Sequence, residues 1–250
     1  MKVEPTTQPI PSISTQQMIE VDRLMIEGFG IQLIQMMENA GGYLAELSRR
    51  MLDGDVRSKR IAILCGGGNN GGGGMVAARR LHNWGAQVQL HVVTDPARLK
   101  GVPAQQWSIL NSMGIENHAE INLEDNDLII DAMIGYGLTG SPRGATAEWI
   151  IKANASGKPI LALDTPSGLD TTTGIPGNPC LRAAATMTLA LPKTGLVSEK
   201  ASPYVGELYL ADISVPPQLY EKLSIEIPAI FIHDTIIKIR KNETDVKEVT

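Results

Sequence analysis

The sequence predicts an α/β fold, a mainly parallel sheet with helices on both faces. Two observations carry that prediction. Short strand candidates at residues 61–64, 88–93, 128–130, 160–163, 186–191 and 207–210 alternate with longer stretches whose apolar residues recur at helical spacing, the pattern of parallel strands joined through helical crossovers. Three of the runs also stop abruptly, 61–64 in a glycine tract, 128–130 at Asp131 and 160–163 at Asp164. Strand ends gather along one edge of a parallel sheet, so the architecture expected is a Rossmann-like three-layer sandwich with a ligand pocket beyond the carboxyl ends of its strands.

Taken in order, residues 1–12 carry Pro5, Pro9 and Pro11 among polar residues and read as a flexible N-terminal arm. A single domain is expected over 13–241, because no repeat and no proline-rich or serine-rich linker divides it, with 242–250 as a frayed charged tail. Ser14 and Gln17 make a capping box for a helix whose Met18, Val21 and Met25 share one face and which Gly28 closes. A second helix sets Ile34, Met37, Leu44, Leu47 and Met51 close to one stripe and stops at Asp53-Gly54. Gly41 and Gly42 inside it cost about 1 kcal/mol each relative to Ala, so another backbone or a ligand is expected to pass close by. The glycine tract joins the strand at 61–64 to a helix bearing Met75, Ala78, Leu81 and Trp84. Asp95-Pro96 turns the chain after 88–93 into a helix with Trp107, Leu110 and Met113, and a second glycine-rich loop spans 135–144. Residues 148–155 read as helix, and Pro192-Lys193 ends the strand at 186–191.

Composition narrows the function. A chain of 250 residues with net charge −5 offers no bulk basic surface for nucleic acid or an anionic membrane. Cys65 and Cys180 have neither Cys-x-x-Cys nor zinc spacing, which suits reduced thiols in the cytoplasm. No apolar run reaches membrane-spanning length, and residues 1–11 lack the hydrophobic stretch of a secretory signal. The four histidines show no nucleophile or metal spacing. A soluble metabolic protein is expected.

The order strand, glycine tract, helix points free amide donors at an anion, and phosphate is the natural guest. Gly66, Gly68 and Gly71 satisfy the dinucleotide spacing only formally, and no Lys-Ser or Lys-Thr follows, which excludes a P-loop. Asn69 and Asn70 add carbonyl acceptors at the turn, suiting a ligand that carries both phosphate and hydroxyl, or a cation beside the phosphate. Asn70, Asp131, Asp164, Ser167 and Lys193 each follow a strand and are expected to share one pocket. Asn70, Asp131 and Ser167 bring hard oxygens with a single carboxylate, a set better suited to a monovalent ion than to calcium, although Asp131 also reads as a turn or capping residue. Asp164 and Lys193 are the groups able to move protons, or else they form a structural ion pair.

The run Gly68-Asn69-Asn70-Gly71-Gly72-Gly73-Gly74 resembles the Gly-Asn-Asn-Gly-Gly-Asp-Gly signature of the NAD(P)H-hydrate epimerase family, the YjeF N-terminal domain, with Gly73 where the family has Asp. Met37-Glu38-Asn39-Ala40-Gly41, Asp164-Thr165-Pro166-Ser167-Gly168 and Pro192-Lys193-Thr194-Gly195 match further motifs of that family in its order. The resemblance implies an isomerase that interconverts the R and S forms of hydrated NADH and NADPH at C6 of the nicotinamide ring, by acid-assisted loss and return of water. It implies Asp164 and Lys193 as the catalytic pair, with a potassium ion on Asn70, Asp131 and Ser167. Substrate contacts are implied at Asn69, Asn70, Gly71, Gly72, Gly73 and Asp164, and in the second loop at Gly135, Tyr136, Gly137, Leu138, Thr139, Gly140 and Ser141. The family is often dimeric through its N-terminal helices, so a homodimer is expected. Two rivals remain: a catalytically silent nucleotide-binding or protein-interaction module of the same fold, suggested by Gly73, and a nicotinamide dehydrogenase with Asp95 as its ribose acid.

Overall fold

The structure is a computed structural model and describes residues 9–239; residues 1–8 of the arm expected at 1–12, and the chain from 240 onward, including the tail at 242–250, lie outside the described residues. Seven strands form one sheet in the order β2-β1-β3-β4-β5-β6-β7. They are β1 (Arg60–Cys65), β2 (Gln87–Val92), β3 (Leu128–Ala132), β4 (Ile160–Leu163), β5 (Ala185–Leu189), β6 (Glu207–Ala211) and β7 (Ile236–Lys238). The first six run parallel and β7 pairs antiparallel to β6. β1 lies between β2 and β3, so the chain reverses direction across the sheet there and leaves a crevice between the loops after β1 and β3.

Alternation along each strand sends side chains to two cores. Ile61 and Ile63 of β1 pack with Leu44 and Leu47 of α2 (Leu33–Met51), Met75 and Leu81 of α3 (Asn69–Asn83) and Leu110 of α4 (Gly101–Ser112). Ala62 and Leu64 face the opposite layer, where Trp149, Ile150 and Ala153 of α5 (Gly144–Ala155) cover them. The sandwich thus has helices on both faces, as expected.

Ser14 caps α1 (Thr15–Arg23) with the full capping box, the Gln17 amide nitrogen donating to Ser14 Oγ at 3.1 Å and the Ser14 N–H donating to Gln17 Oε1 at 2.8 Å. A π-helical turn, Leu24–Gly28, extends it. Met18, Val21 and Met25 are buried together with Leu219 and Tyr220 of α7 (Pro217–Lys222). The described end of the expected arm is packed, for Ile10 and Ser12 are buried and Ile13 pairs with the backbone on both sides of Lys193. The short helix α6 (Ser202–Val205), α7 and β7 carried too few residues for a periodic signal in the sequence.

The glycine tract departs from its reading as a loop. α3 begins at Asn69, so Gly71, Gly72, Gly73 and Gly74 are helical and buried. Propensity argues against four glycines within the first two turns, but close neighbours leave no room for side chains. A Cβ at Gly71 would lie 1.9 Å from Gly66 O, and one at Gly74 would lie 2.6 Å from Ala132 Cβ. The helix start is pressed onto the ends of β1 and β3, which only glycine permits.

Gly41 is the counterpart on α2. A Cβ there would sit 2.4 Å from Val76 Cβ and 2.5 Å from Gly73 O, so the passing backbone expected from the sequence is that of α3. Helix propensity alone predicts that Gly41→Ala gains about 1 kcal/mol. Overpacking of about 1–3 kcal/mol outweighs it, and the urea midpoint should fall; a rise would show that α2 and α3 separate freely.

Candidate functional site

The carboxyl ends of β1, β3, β4 and β5 surround a cavity of about 360 Å³, within the usual range for small-molecule sites. Gly68, Asn69, Asn70 and Gly73 line it from the start of α3, Met133 to Gly137 from the loop after β3, Asp164 from the end of β4, and Met18, Asp22, Met36 and Met37 from α1 and α2. The first turn of α3 carries amide groups with no intrahelical partner, and Gly68 caps it without a side chain, so the cavity receives donors suited to an anion.

Asp164 takes a left-handed φ of 67°, a conformation that aspartate tolerates better than most residues. Its N–H donates to Met187 O of β5 at 2.7 Å, and the turn delivers its carboxylate between two donors. Lys193 Nζ donates to Asp164 Oδ1, and the Tyr136 N–H donates to Oδ2 at 3.0 Å. Lys193 is fully buried and spends its remaining hydrogens on Thr188 Oγ1 at 3.2 Å and Leu189 O at 3.1 Å. Ile13 holds its segment in place, with N donating to Pro192 O at 2.8 Å and O accepting from Thr194 N at 2.9 Å. Lys193 therefore lies behind Asp164 rather than on the cavity wall.

Asp131 is fully buried in β3. Its Oδ1 accepts Met133 N at 3.1 Å and Ser167 Oγ at 2.7 Å, and its Oδ2 accepts Ser167 N at 2.8 Å. Burial nevertheless pushes its carboxyl up to about 6. The Ser167 hydroxyl in turn accepts Ile134 N at 2.9 Å. Asn70 Nδ2 donates to Leu163 O at 3.3 Å, while a Cβ on Gly135 would lie 3.3 Å from Asn70 Oδ1. The three expected oxygen donors thus meet three successive loop residues: Asp131 meets Met133, Ser167 meets Ile134, and Asn70 meets Gly135. Among the described residues no three His, Cys, Asp or Glu side chains converge as a transition-metal site would require.

Other expected positions lie elsewhere. Gly71 and Gly72 are inside α3, and Leu138, Thr139, Gly140 and Ser141 run beyond the cavity wall, where Ser141 Oγ accepts Asn178 N at 3.1 Å. Asp95 caps the short turn Pro96–Arg98 by accepting Ala97 N at 3.0 Å, a role that accounts for it without a ribose. No described helix is long and apolar enough to cross a membrane.

Sequence reasoning missed Asp22. It lines the cavity from α1, and its Oδ2 accepts the Tyr136 hydroxyl. The available signal was its place four residues after Met18 and beside Val21, on the edge of the buried stripe.

Comparison with known proteins gives a consistent result. Residues 33–195 match the family described as YjeF-related protein N-terminus. The chain is 37% identical over 239 residues to the NAD(P)H-hydrate epimerase of Dehalogenimonas lykanthroporepellens, covering 94% of this chain and 96% of that one. It is 35% identical to the NAD(P)H-hydrate epimerase of Rhodopirellula baltica, covering 86% and 89%. The bifunctional NAD(P)H-hydrate repair enzyme Nnr of Moorella thermoacetica is 38% identical over 83% of this chain, which spans 41% of its length. Among solved structures, yeast ynu0 (YNL200c) superposes with a TM-score of 0.78 over 92% of this chain and 100% of that one, and at 24% identity it supports the fold alone.

Burial is the largest influence on Asp22 and raises its pKa above the ordinary 3.8, although the Tyr136 hydroxyl opposes the rise. An acid whose pKa is higher when folded contributes stability below its unfolded value and loses that contribution as pH rises through the folded one. Asp22→Asn should therefore gain on the wild type as pH climbs from about 3.8. Urea unfolding over a pH series measures this, and a constant difference would contradict it.

Proposed function

The chain belongs to the family described as YjeF-related protein N-terminus, and on that premise we propose that it is an NAD(P)H-hydrate epimerase, an isomerase. The observation that carries the reading to a site is Asp164: a carboxylate held by Lys193 and by the Tyr136 amide, facing a cavity beside Asn69 and Asn70.

In this reading hydrated NADH or NADPH lies with its phosphates toward the free amides of α3 and its ribose near Asn69. Asp164 gives a proton to the C6 hydroxyl as the ring nitrogen expels it as water; water returns to the opposite face and releases one proton, and exchange with solvent restores the acid. Lys193, with its hydrogens already engaged, is the positioning partner that fixes Asp164. Asn70, Asp131 and Ser167 would hold potassium; three oxygens with one carboxylate, gathered along residues 133–135, suit a monovalent cation. When bound, that ion supplies positive charge beside the buried Asp131 carboxylate and the loop that meets the substrate.

A cytoplasmic setting agrees with Cys65 and Cys180, both free and buried. Ile19, Ile26 and Ile34, exposed on the N-terminal helical segments, support a homodimer formed there. No nucleic-acid partner is proposed.

The silent-module alternative rests on Gly73. Leu163 Cδ2 lies 2.8 Å from where a Cβ at Gly73 would sit, so the space nearest the family aspartate is apolar here. A stereochemical assay on hydrated NADPH, with and without potassium, decides between the two. The epimerase reading predicts R-to-S conversion by the wild type, a loss of about 100-fold or more in Asp164→Asn, and loss of potassium dependence in Asn70→Ala. An inert wild type with activity only in Gly73→Asp would favour the silent module.

A further inference from the structure

Asp22 is a second carboxylate on the cavity wall, carried by α1 rather than by the sheet. Its Oδ2 accepts the Tyr136 hydroxyl, and its Oδ1 bonds nothing among the described residues. Among the described residues no cation forms an ion pair with it, although the Lys193 ammonium acts on it at longer range. The adjacent Arg23 divides its guanidinium between Glu20 and Glu27, and Lys193 is engaged by Asp164, Thr188 and Leu189. An acid needed only to receive one phenol would leave its second oxygen without a role.

Tyr136 connects this acid to Asp164. Its amide donates to Asp164 Oδ2 at 3.0 Å and its hydroxyl donates to Asp22, so the two carboxylates stand one tyrosine's length apart on the same cavity. An epimerisation has a use for two such groups. The R and S hydroxyls leave from opposite faces of the ring, and an acid fixed on one side reaches only one of them.

We propose that Asp22 is a catalytic residue, the proton donor and acceptor for the ring face opposite Asp164. The proposal rests on the epimerase reading given above. In one direction the Asp22 carboxyl gives its proton to the C6 hydroxyl, and the C6–O bond breaks as the N1 lone pair forms the N1=C6 double bond. Water leaves. A second water then adds to C6 on the other face, the double-bond pair returns to N1, and Asp164 takes the proton released. The reverse direction exchanges the two roles, and proton exchange with solvent resets both acids. Atoms balance, with one water lost and one gained, and no oxidant or reductant enters.

The test follows the separated R and S epimers of hydrated NADPH in ¹⁸O-labelled water, reading epimerisation and incorporation of label at C6 independently. Asp22→Asn should lower epimerisation by about 100-fold or more yet still catalyse label exchange into one epimer, the one whose hydroxyl faces Asp164. Asp164→Asn should exchange label into the other epimer only. Tyr136→Phe, which removes the hydrogen bond to Asp22 but leaves the carboxyl, should lose less than about 10-fold. Thermal unfolding of each variant checks that it is folded. Equal losses in Asp22→Asn and Tyr136→Phe, or loss of exchange and epimerisation together in a folded Asp22→Asn, would overturn the proposal while leaving the epimerase reading standing. A wild type that neither epimerises nor exchanges would remove both.

Discussion

The buried contact between Lys193 and Asp164 is the constraint on which the rest of the site depends. A fully buried ammonium is costly to desolvate, and the fold tolerates this one because Asp164, Thr188 and Leu189 engage its hydrogens. Removing one partner of such a pair generally costs about 3–5 kcal/mol, because the other charge stays buried without compensation. The pair joins positions 29 residues apart in sequence. Asp164 passes the constraint onward by accepting the Tyr136 amide, and so positions the loop that forms one wall of the cavity.

Several parts of the chain serve that contact. Ala190 adopts a left-handed φ of 61° at the end of β5, turning the chain toward Lys193 at a cost of about 1–2 kcal/mol. Ile13 then pairs on both sides of Lys193, so the N-terminal segment closes over its backbone. On the opposite side of the crevice, glycines let α3 press against β1 and β3, bringing Asn70 to Gly135. Asp131 and Ser167 hold Met133 and Ile134 from beneath. Successive residues of one loop are thus anchored by side chains from different strand ends, which is how a parallel sheet makes a site from distant sequence.

Much of this was legible in the sequence because it depends on local signals or on topology. The capping box at Ser14, the strand Ile160–Leu163 and the close approach at Gly41 follow from side-chain spacing and backbone sterics. The gathering of Asn70, Asp131, Asp164, Ser167 and Lys193 at one edge of the sheet follows once the strands are parallel, but of the five only Asn70 and Asp164 line the cavity, and Asp131, Ser167 and Lys193 do not. The glycine tract was misjudged because propensity treats glycine as a helix breaker, whereas here tertiary contact requires it. Asp22 was passed over because an acid at the edge of an amphipathic stripe reads as solvated until the partner across the cavity, Tyr136, is known. The distinction between Asp164 on the wall and Lys193 behind it also needed coordinates, since both simply follow strands in the sequence.

Amide hydrogen exchange across residues 133–137, compared between the wild type and Lys193→Met, tests the dependence of the site on the buried pair most directly. With Lys193 gone, Asp164 loses the charge that fixes it, and the Tyr136 amide should exchange markedly faster while the amides of β1 and β3 keep their protection. Unchanged protection at Tyr136 in a folded Lys193→Met protein would show that the loop holds its shape without the ion pair, and would contradict the dependence described here.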